Sequence, residues 1–337
     1  MDFDLSDDQV ALADGAAALL GDLASPERVR SHTASGDGFD ERLWRAMCEQ
    51  GWPAIEVPEA RGGVGLGTVE AAVLVEQLGR HAAPAPLVPA LLAADVLARA
   101  GEDGWLERIV SGAALACVAW DPRHPVPYAP SADVAIVRDG ERVHLLELPE
   151  RPARQPAMDL TRELGWLPFD AGRARVVGGP DEADRLLDRG AVLTAADLLG
   201  SASRALDMAV AYAKDRVQFD RPIGSFQAVK HRCADMLVDV EGMRSTVYWA
   251  AWCLGSGDAE APVAASAAKT WCADASKRVM ASALQVHGGI GFTWEHDLHF
   301  FLKRAQLDQV HFGDAAFHRA RLASLLRPRV EAGESVV

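Results

Sequence analysis

The chain is short of basic residues: 34 lysines and arginines stand against 48 aspartates and glutamates, a formal net charge of −14. That balance argues against general nucleic-acid binding, because phosphate would be repelled, but it leaves room for a small anion held by a few local arginines. Cysteines are few, at Cys48, Cys117, Cys233, Cys253 and Cys272, widely spread and never arranged as CxxC. They read as reduced core thiols of a cytoplasmic protein, not as a disulfide framework or a redox pair. No apolar run is long enough to span a bilayer, and the acidic start MDFDLSDDQV lacks the basic and apolar regions of a signal peptide. A Ser nucleophile elbow, a P-loop, an internal repeat and a low-complexity tract are also missing. What is present is 337 residues with 49% hydrophobic and 24% charged side chains, enough for two or three domains around ample core.

The pattern along the chain divides into three. Residues 1–112 read as helical, split by the Gly- and Pro-rich turn GWPAIEVPEARGGVGLG (51–67), with a second helical group from about Thr68 and a short amphipathic helix in WLERIVSG (105–112). Between 113 and 180 the runs ALACVAW, ADVAIVRDG, ERVHLLEL and AGRARVVGG read as short strands, with RDGER as a hairpin turn. From 181 to 330 long helices return. In SFQAVKHRCADMLVDVEGMRSTVYWAAW the apolar residues Val229, Cys233, Met236, Val240, Met243 and Val247 alternate spacings of 4 and 3, which keeps one stripe facing a partner helix. The tail 331–337 is expected to fray. The expected fold is therefore mainly α: an N-terminal helical domain, a small β domain and a C-terminal helical bundle.

Two segments stand out chemically. VHGGIGFTWEH (286–296) places Gly288, Gly289 and Gly291 within four positions, either as a helix C-cap with a turn or as backbone that something must approach closely. DRVQFDRPIGSFQAVKH (215–231) joins two long helices and brackets a Pro-Gly turn with Arg216 and Arg221, beside Gln218, Phe219, Phe226 and Gln227. It reads as a polar interhelical loop whose phenylalanines plug the bundle, or as a guanidinium fork for phosphate with amide and aromatic groups for a planar ring. EHDLH (295–299), with His311 and His318 beyond it, reads as a solvated or ion-paired helix face, since the Glu-x-x-His repeats of a di-metal bundle are absent. No metal site is expected.

In order and spacing, MDFDLSDDQ, GWPAIEVPEARGGVGLG, RVQFDRPIGSFQAVKH and QVHGGIGF resemble the corresponding segments of the flavin-dependent acyl-CoA dehydrogenases, over nearly the whole chain. The resemblance implies an N-terminal helical domain, a middle β domain, a C-terminal four-helix domain and FAD at a subunit interface. It implies Arg216 against the FAD pyrophosphate, with Gln218, Phe219, Ile223, Phe226 and Gln227 around the adenosine half. Gln285, Gly288 and Gly289 would approach the same half of a FAD bound mainly to the neighbouring subunit.

The departures from the family pattern are equally specific. The family opens its β domain with Thr-Glu-Pro, followed by a Gly-Ser-Asp turn and a Trp-bearing strand that cover the flavin ring; ALACVAWDPRHPVPYAPSADVAIV is shortened and lacks them, a truncated β domain. Asp220 stands where the family commonly has glycine. The family's base is a glutamate in Tyr-Glu-Gly-Thr, and the matching stretch here is HFGD, with Phe312 at the glutamate position. Members that supply the base from the start of the first long C-terminal helix place it at the position of Gly190, again without a carboxylate; Asp314 is the nearest acid. The resemblance thus implies a subunit for α,β-dehydrogenation of an acyl-CoA thioester that is catalytically incomplete alone. It would pair with a second acyl-CoA dehydrogenase-like subunit as α2β2 and pass electrons to an acceptor such as an electron-transfer flavoprotein. The alternatives are a flavin-free structural or regulatory subunit, or a repurposed non-redox enzyme on the same fold.

Overall fold

The computed structural model describes residues 4–333; the expectations for Met1–Phe3 and for residues 334–337 of the tail lie outside the described residues. Six helices come first, α1 (Asp7–Leu23), α2 (Pro26–Ser35), α3 (Glu41–Glu49), α4 (Thr68–Arg80), α5 (Leu87–Ala100) and α6 (Asp103–Val110). Short strands follow: β1 (Ala116–Ala119), β2 (Val126–Pro127), β3 (Val134–Asp139), β4 (Arg142–Glu147), β5 (Arg154–Gln155), β6 (Leu164–Gly165) and β7 (Arg175–Gly178). Then come α7 (Pro180–Asp215), a hairpin of β8 (Val217–Gln218) and β9 (Arg221–Pro222), and α8 (Gln227–Ser256), α9 (Ala261–His287), α10 (Leu298–Val310) and α11 (Ala315–Glu331). Among the described residues no helix is long and apolar enough to cross a membrane.

Local chemistry explains the element ends. Ser6 and Gln9 close a reciprocal capping box at the start of α1, with Gln9 N–H on Ser6 Oγ at 3.3 Å and Ser6 N–H on Gln9 Oε1 at 3.0 Å. In α8 the 4-and-3 stripe is the buried face: Met236, Val240, Met243 and Val247 are enclosed, and Val229 and Cys233 flank the same core. The middle region holds two small sheets rather than one. β1 runs parallel to β3, β3 and β4 form the hairpin across Asp139 and Arg142, and β7 pairs with β4 past a bulge at Val143 and His144. β2, β6 and β5 make a separate antiparallel sheet.

The long α7 is the axis of the molecule. It crosses α4 where two glycines face each other's backbone: a Cβ on Gly79 would lie 2.2 Å from Asp197 O, and one on Gly200 only 1.9 Å from Glu76 O. Ser201 Oγ donates to Gly79 O at 3.2 Å across the same crossing. Glu76, beside it on α4, accepts from Arg244 Nη1 at 2.7 Å and Tyr248 OH at 2.6 Å on α8, so three helices are tied at one level. The EHDLH stretch differs from its expectation. Asp297 pairs with Arg30, but His299 is buried between Trp294 and Phe300, because α10 begins at Leu298 and its first turn faces inward. All five cysteines are free thiols.

The α4–α7 crossing gives a direct test. Gly200→Ala is expected to destabilise the chain by about 3 kcal/mol, because a backbone carbonyl rather than a flexible side chain occupies the space. Gly104→Ala, where a Cβ meets nothing within 4 Å, should leave the chemical denaturation midpoint unchanged or raise it. Equal midpoints for the two variants would contradict the packing described.

Candidate functional site

The connection from α10 to α11 puts Phe312 and Gly190 together. Phe312 has φ 56° and is fully buried; its ring lies so close to α7 that a Cβ on Gly190 would be 2.1 Å from two ring carbons. The two positions at which a carboxylate is expected are thus in van der Waals contact, and the Phe312 ring takes the space that a side chain on Gly190 would need. The loop is held from both sides. Buried Lys269 Nζ on α9 donates to Gln309 O at 3.1 Å and Gly313 O at 2.7 Å, and a His318 ring nitrogen bonds Phe312 O at 2.8 Å. Burial pushes the Lys269 ammonium down to about 8 and His318 down to about 4. Asp314 lies outside this enclosure: it is exposed and caps α11, accepting from Phe317 N–H at 2.8 Å.

Below Phe312 the space between α7 and α10 is filled by charge. Arg162, from the β region, donates Nη2 to Asp197 Oδ2 at 2.6 Å and bonds Asp308 with both terminal nitrogens. Arg304 donates Nε and Nη2 to Asp197 at 2.8 and 2.9 Å, and Nη1 to Thr161 Oγ1 and Ala83 O, each at 3.1 Å. Burial opposes ionisation of Asp197, yet the Arg304 and Arg162 guanidiniums overcome it and hold its pKa low; burial, seconded by the charge of Asp197, pushes Asp308 up to about 6. Tyr128 closes the side with its hydroxyl on Ala85 O at 3.1 Å. The remaining cavity, lined by Tyr128, Thr194, Asp197 and His311 among others, measures about 20 Å³. That is room for about one water. Sequence reasoning did not find this network, although Asp197 stands alone among small and apolar residues in GAVLTAADLLGSASRAL, the signal that an acid is buried and paired.

The opposite end of α7 is open. Arg216 follows its last turn, is exposed, and has no hydrogen bond or ion pair to its side chain among the described residues. The β8–β9 hairpin turns at Phe219 (φ 52°) and Asp220 (φ 61°); aspartate tolerates the left-handed region, so it serves where glycine is common, whereas Phe219 is held there under strain. Phe219 is 85% exposed, meets Phe226 edge-on at 6.0 Å, and the Arg221 guanidinium lies 4.1 Å over the Phe226 ring. Gln218 and Gln227 are exposed beside them, and half-buried Ile223 returns its N–H to Arg216 O at 2.8 Å.

The glycine segment reaches the same end. His287, the last residue of α9, stacks on Tyr212 of α7 at 4.8 Å, so Gly288 and Arg216 begin from neighbouring helix ends. Gly288 has φ +61° and ψ −140°, a conformation that excludes a side chain, while a Cβ on Gly288 or Gly289 would meet nothing within 4 Å. Gln285 is exposed one turn earlier. Only Gly291 is required by packing within the chain, 3.0 Å from the His287 side chain. Among the described residues no group of three or more His, Cys, Asp or Glu is placed to hold a metal.

Comparison with known proteins bears on the family and the fold. Residues 6–114 match the acyl-CoA dehydrogenase N-terminal domain and residues 178–326 the acyl-CoA dehydrogenase C-terminal domain. The chain is 39% identical, over 89% of its length and 93% of the relative's, to the acyl-CoA dehydrogenase IpdE2 of Mycolicibacterium smegmatis. Among solved structures it is similar to the Tcur3481-Tcur3483 steroid ACAD G363A variant, at 30% identity and TM-score 0.90 over 96% of this chain and 99% of that one. It is also similar to the ChsE4-ChsE5 complex from Mycobacterium tuberculosis, at 30% identity and TM-score 0.84 over the full length of both chains. With both terminal domains matched and the helical architecture shared, the chain belongs to the acyl-CoA dehydrogenase family of oxidoreductases.

Proposed function

We propose that this chain is the catalytically incomplete subunit of a heteromeric, FAD-dependent acyl-CoA dehydrogenase, assembled as α2β2 with a full-length relative. The observation that carries the proposal is the contact of Phe312 with Gly190: α-proton removal from a thioester needs a carboxylate within reach of the carbon, and a phenyl ring fills the place. The 20 Å³ cavity beside it does not fit a flavin ring.

The other half of the dinucleotide does fit the open end. Arg216 offers an unpaired guanidinium for the pyrophosphate; Phe219, Phe226, Ile223, Gln218 and Gln227 supply ring faces and amides for the adenosine; Gln285, Gly288 and Gly289 leave backbone accessible. When bound, the flavin accepts a hydride from the β-carbon of the acyl group. The residues here would hold its adenosine and pyrophosphate while the partner provides the glutamate and the ring pocket. Two solved structures of similar chains, Tcur3481-Tcur3483 and ChsE4-ChsE5, carry two protein names each, which supports a mixed assembly. Electrons would leave to an acceptor such as an electron-transfer flavoprotein.

Purified alone, the chain is expected to show no acyl-CoA oxidation with an artificial electron acceptor. Turnover by the lone chain, abolished by Asp314→Asn, would overturn the proposal; asparagine caps a helix as well as aspartate, so that variant separates base from cap. Within the assembly, Arg216→Ala removes a charge-assisted contact worth about 1.5–3 kcal/mol, and flavin affinity should fall about tenfold or more with the fold intact. Unchanged flavin content, read from absorbance near 450 nm, would rule out that role for Arg216.

A further inference from the structure

A second cavity lies along α7 between Gly190 and Arg216, sharing Asp297 and Phe300 with the start of α10 described above. It opens between the α1–α2 turn, the C-terminus of α4, the C-terminal third of α7 and the first turn of α10, and has a volume of about 210 Å³. Arg204 on its α7 wall is 14 residues from Gly190, about 21 Å along the helix, with the Asp197–Arg304 pair between them. The walls are largely apolar: Val29, Met208, Phe300 and Phe301, with Ala24 and Ala82.

Its charged groups are spent on one another, with one exception. Asp297 is bonded to Arg30, and Asp207, one turn beyond Arg204 on α7, is taken by Arg80 from α4. His81 uses Nδ1 on Gln77 O at 2.9 Å, and burial first, then the positive charge of Arg204 and Arg80, favours its neutral form. Half-buried Arg204 is left without an ion pair or hydrogen bond among the described residues. Its stem is partly buried while its guanidinium still meets solvent, free to take an anion where the apolar chamber adjoins it.

We infer that this cavity binds a small monocarboxylate with an apolar tail, its carboxylate on Arg204 and its chain between Met208, Phe300 and Phe301. The volume equals about seven waters in the liquid, which suits a chain of about six to eight carbons. The negative charge of Asp297 is neutralised by Arg30, so the rim does not repel the anion. An inorganic phosphate would satisfy Arg204 but leave the apolar walls wet, so the carboxylate is the better match.

Octanoate is the probe, titrated into the full chain and followed by amide and methyl shifts in NMR spectra. Saturable shifts are expected at Arg204, His81 and Met208, with affinity at least about tenfold weaker in Arg204→Gln and abolished in Met208→Trp, which fills the chamber. Arg216→Ala should bind octanoate as the parent does, which separates this site from the dinucleotide surface. Absence of saturable binding, equal affinity for 1-octanol, equal affinity for inorganic phosphate, or undiminished binding by Arg204→Gln would each overturn the inference.

Discussion

Asp197 is the side chain on which the interior depends. It is enclosed on α7 and shared by two guanidiniums, Arg162 from the β region and Arg304 from α10, while Arg162 also carries Asp308. Two acids and two bases leave no net charge in the cluster, and Thr161 and Ala83 take remaining donors of Arg304. Removing one partner of such a set costs about 3–5 kcal/mol, because a bare charge is left in a dry interior; replacing the whole set with matched apolar side chains can be neutral or better. The cluster is thus a weak source of net stability and a strong source of registration. It links the β region, α7 and α10 through one shared set of buried ion pairs. A second set, Arg189 with Glu56 and Asp95, does the same between α7 and the N-terminal helices.

That registration decides what the molecule can hold. With Arg162 drawn inward to Asp197 and Asp308, the space under the α10–α11 loop is occupied by protein, and Phe312 settles onto Gly190 above it. Lys269 and His318 then secure the loop carbonyls from beneath and behind. At the far end of α7 the opposite holds. Arg216, Gln218 and Phe219 face outward, and the glycines at 288 and 289 have open space where side chains would be. One helix therefore joins a closed end to an open one, and the chemistry suited to each follows from what its neighbours leave unpaired.

Much of this was legible in the sequence, and the limits have physical causes. The stripe from Val229 to Val247 announced the buried face of α8 because helical period and burial share one repeat. The β3–β4 hairpin was legible because RDGER carries its turn chemistry locally. Phe312 and Gly190 could be singled out against a family pattern, but their contact could not: it joins residues far apart in sequence, and neither alone implies the other. Gly79 and Gly200 were equally silent, since a helix crossing is a property of two helices and each glycine reads locally as a weak helix former. Arg162 escaped because it lies in an irregular stretch without periodicity, where an arginine is ordinarily solvated. His299 was misjudged as surface because a charged neighbourhood, Glu295 to Asp297, suggested water, whereas α10 begins only at Leu298 and turns the next residue inward.

The closed end is also closed in depth, which bears on how readily it could be reopened. A glutamate at position 312 would occupy a fully buried position, where loss of water raises the cost of its charge. The Phe312 ring fills the space over Gly190, and the cavity beside it, about 20 Å³, is too small for an acyl group. Clearing a path would strand Asp308, which bonds Arg162 through both oxygens. Each barrier belongs to a different element, and each is supported by partners that would be left unsatisfied if it alone were removed. The phenyl ring at 312 therefore sits within a packed, hydrogen-bonded interior and not at the edge of an open pocket. The interior of α7 is bound into the framework by ion pairs, and its exposed, unpaired side chains gather at the end that carries Arg216.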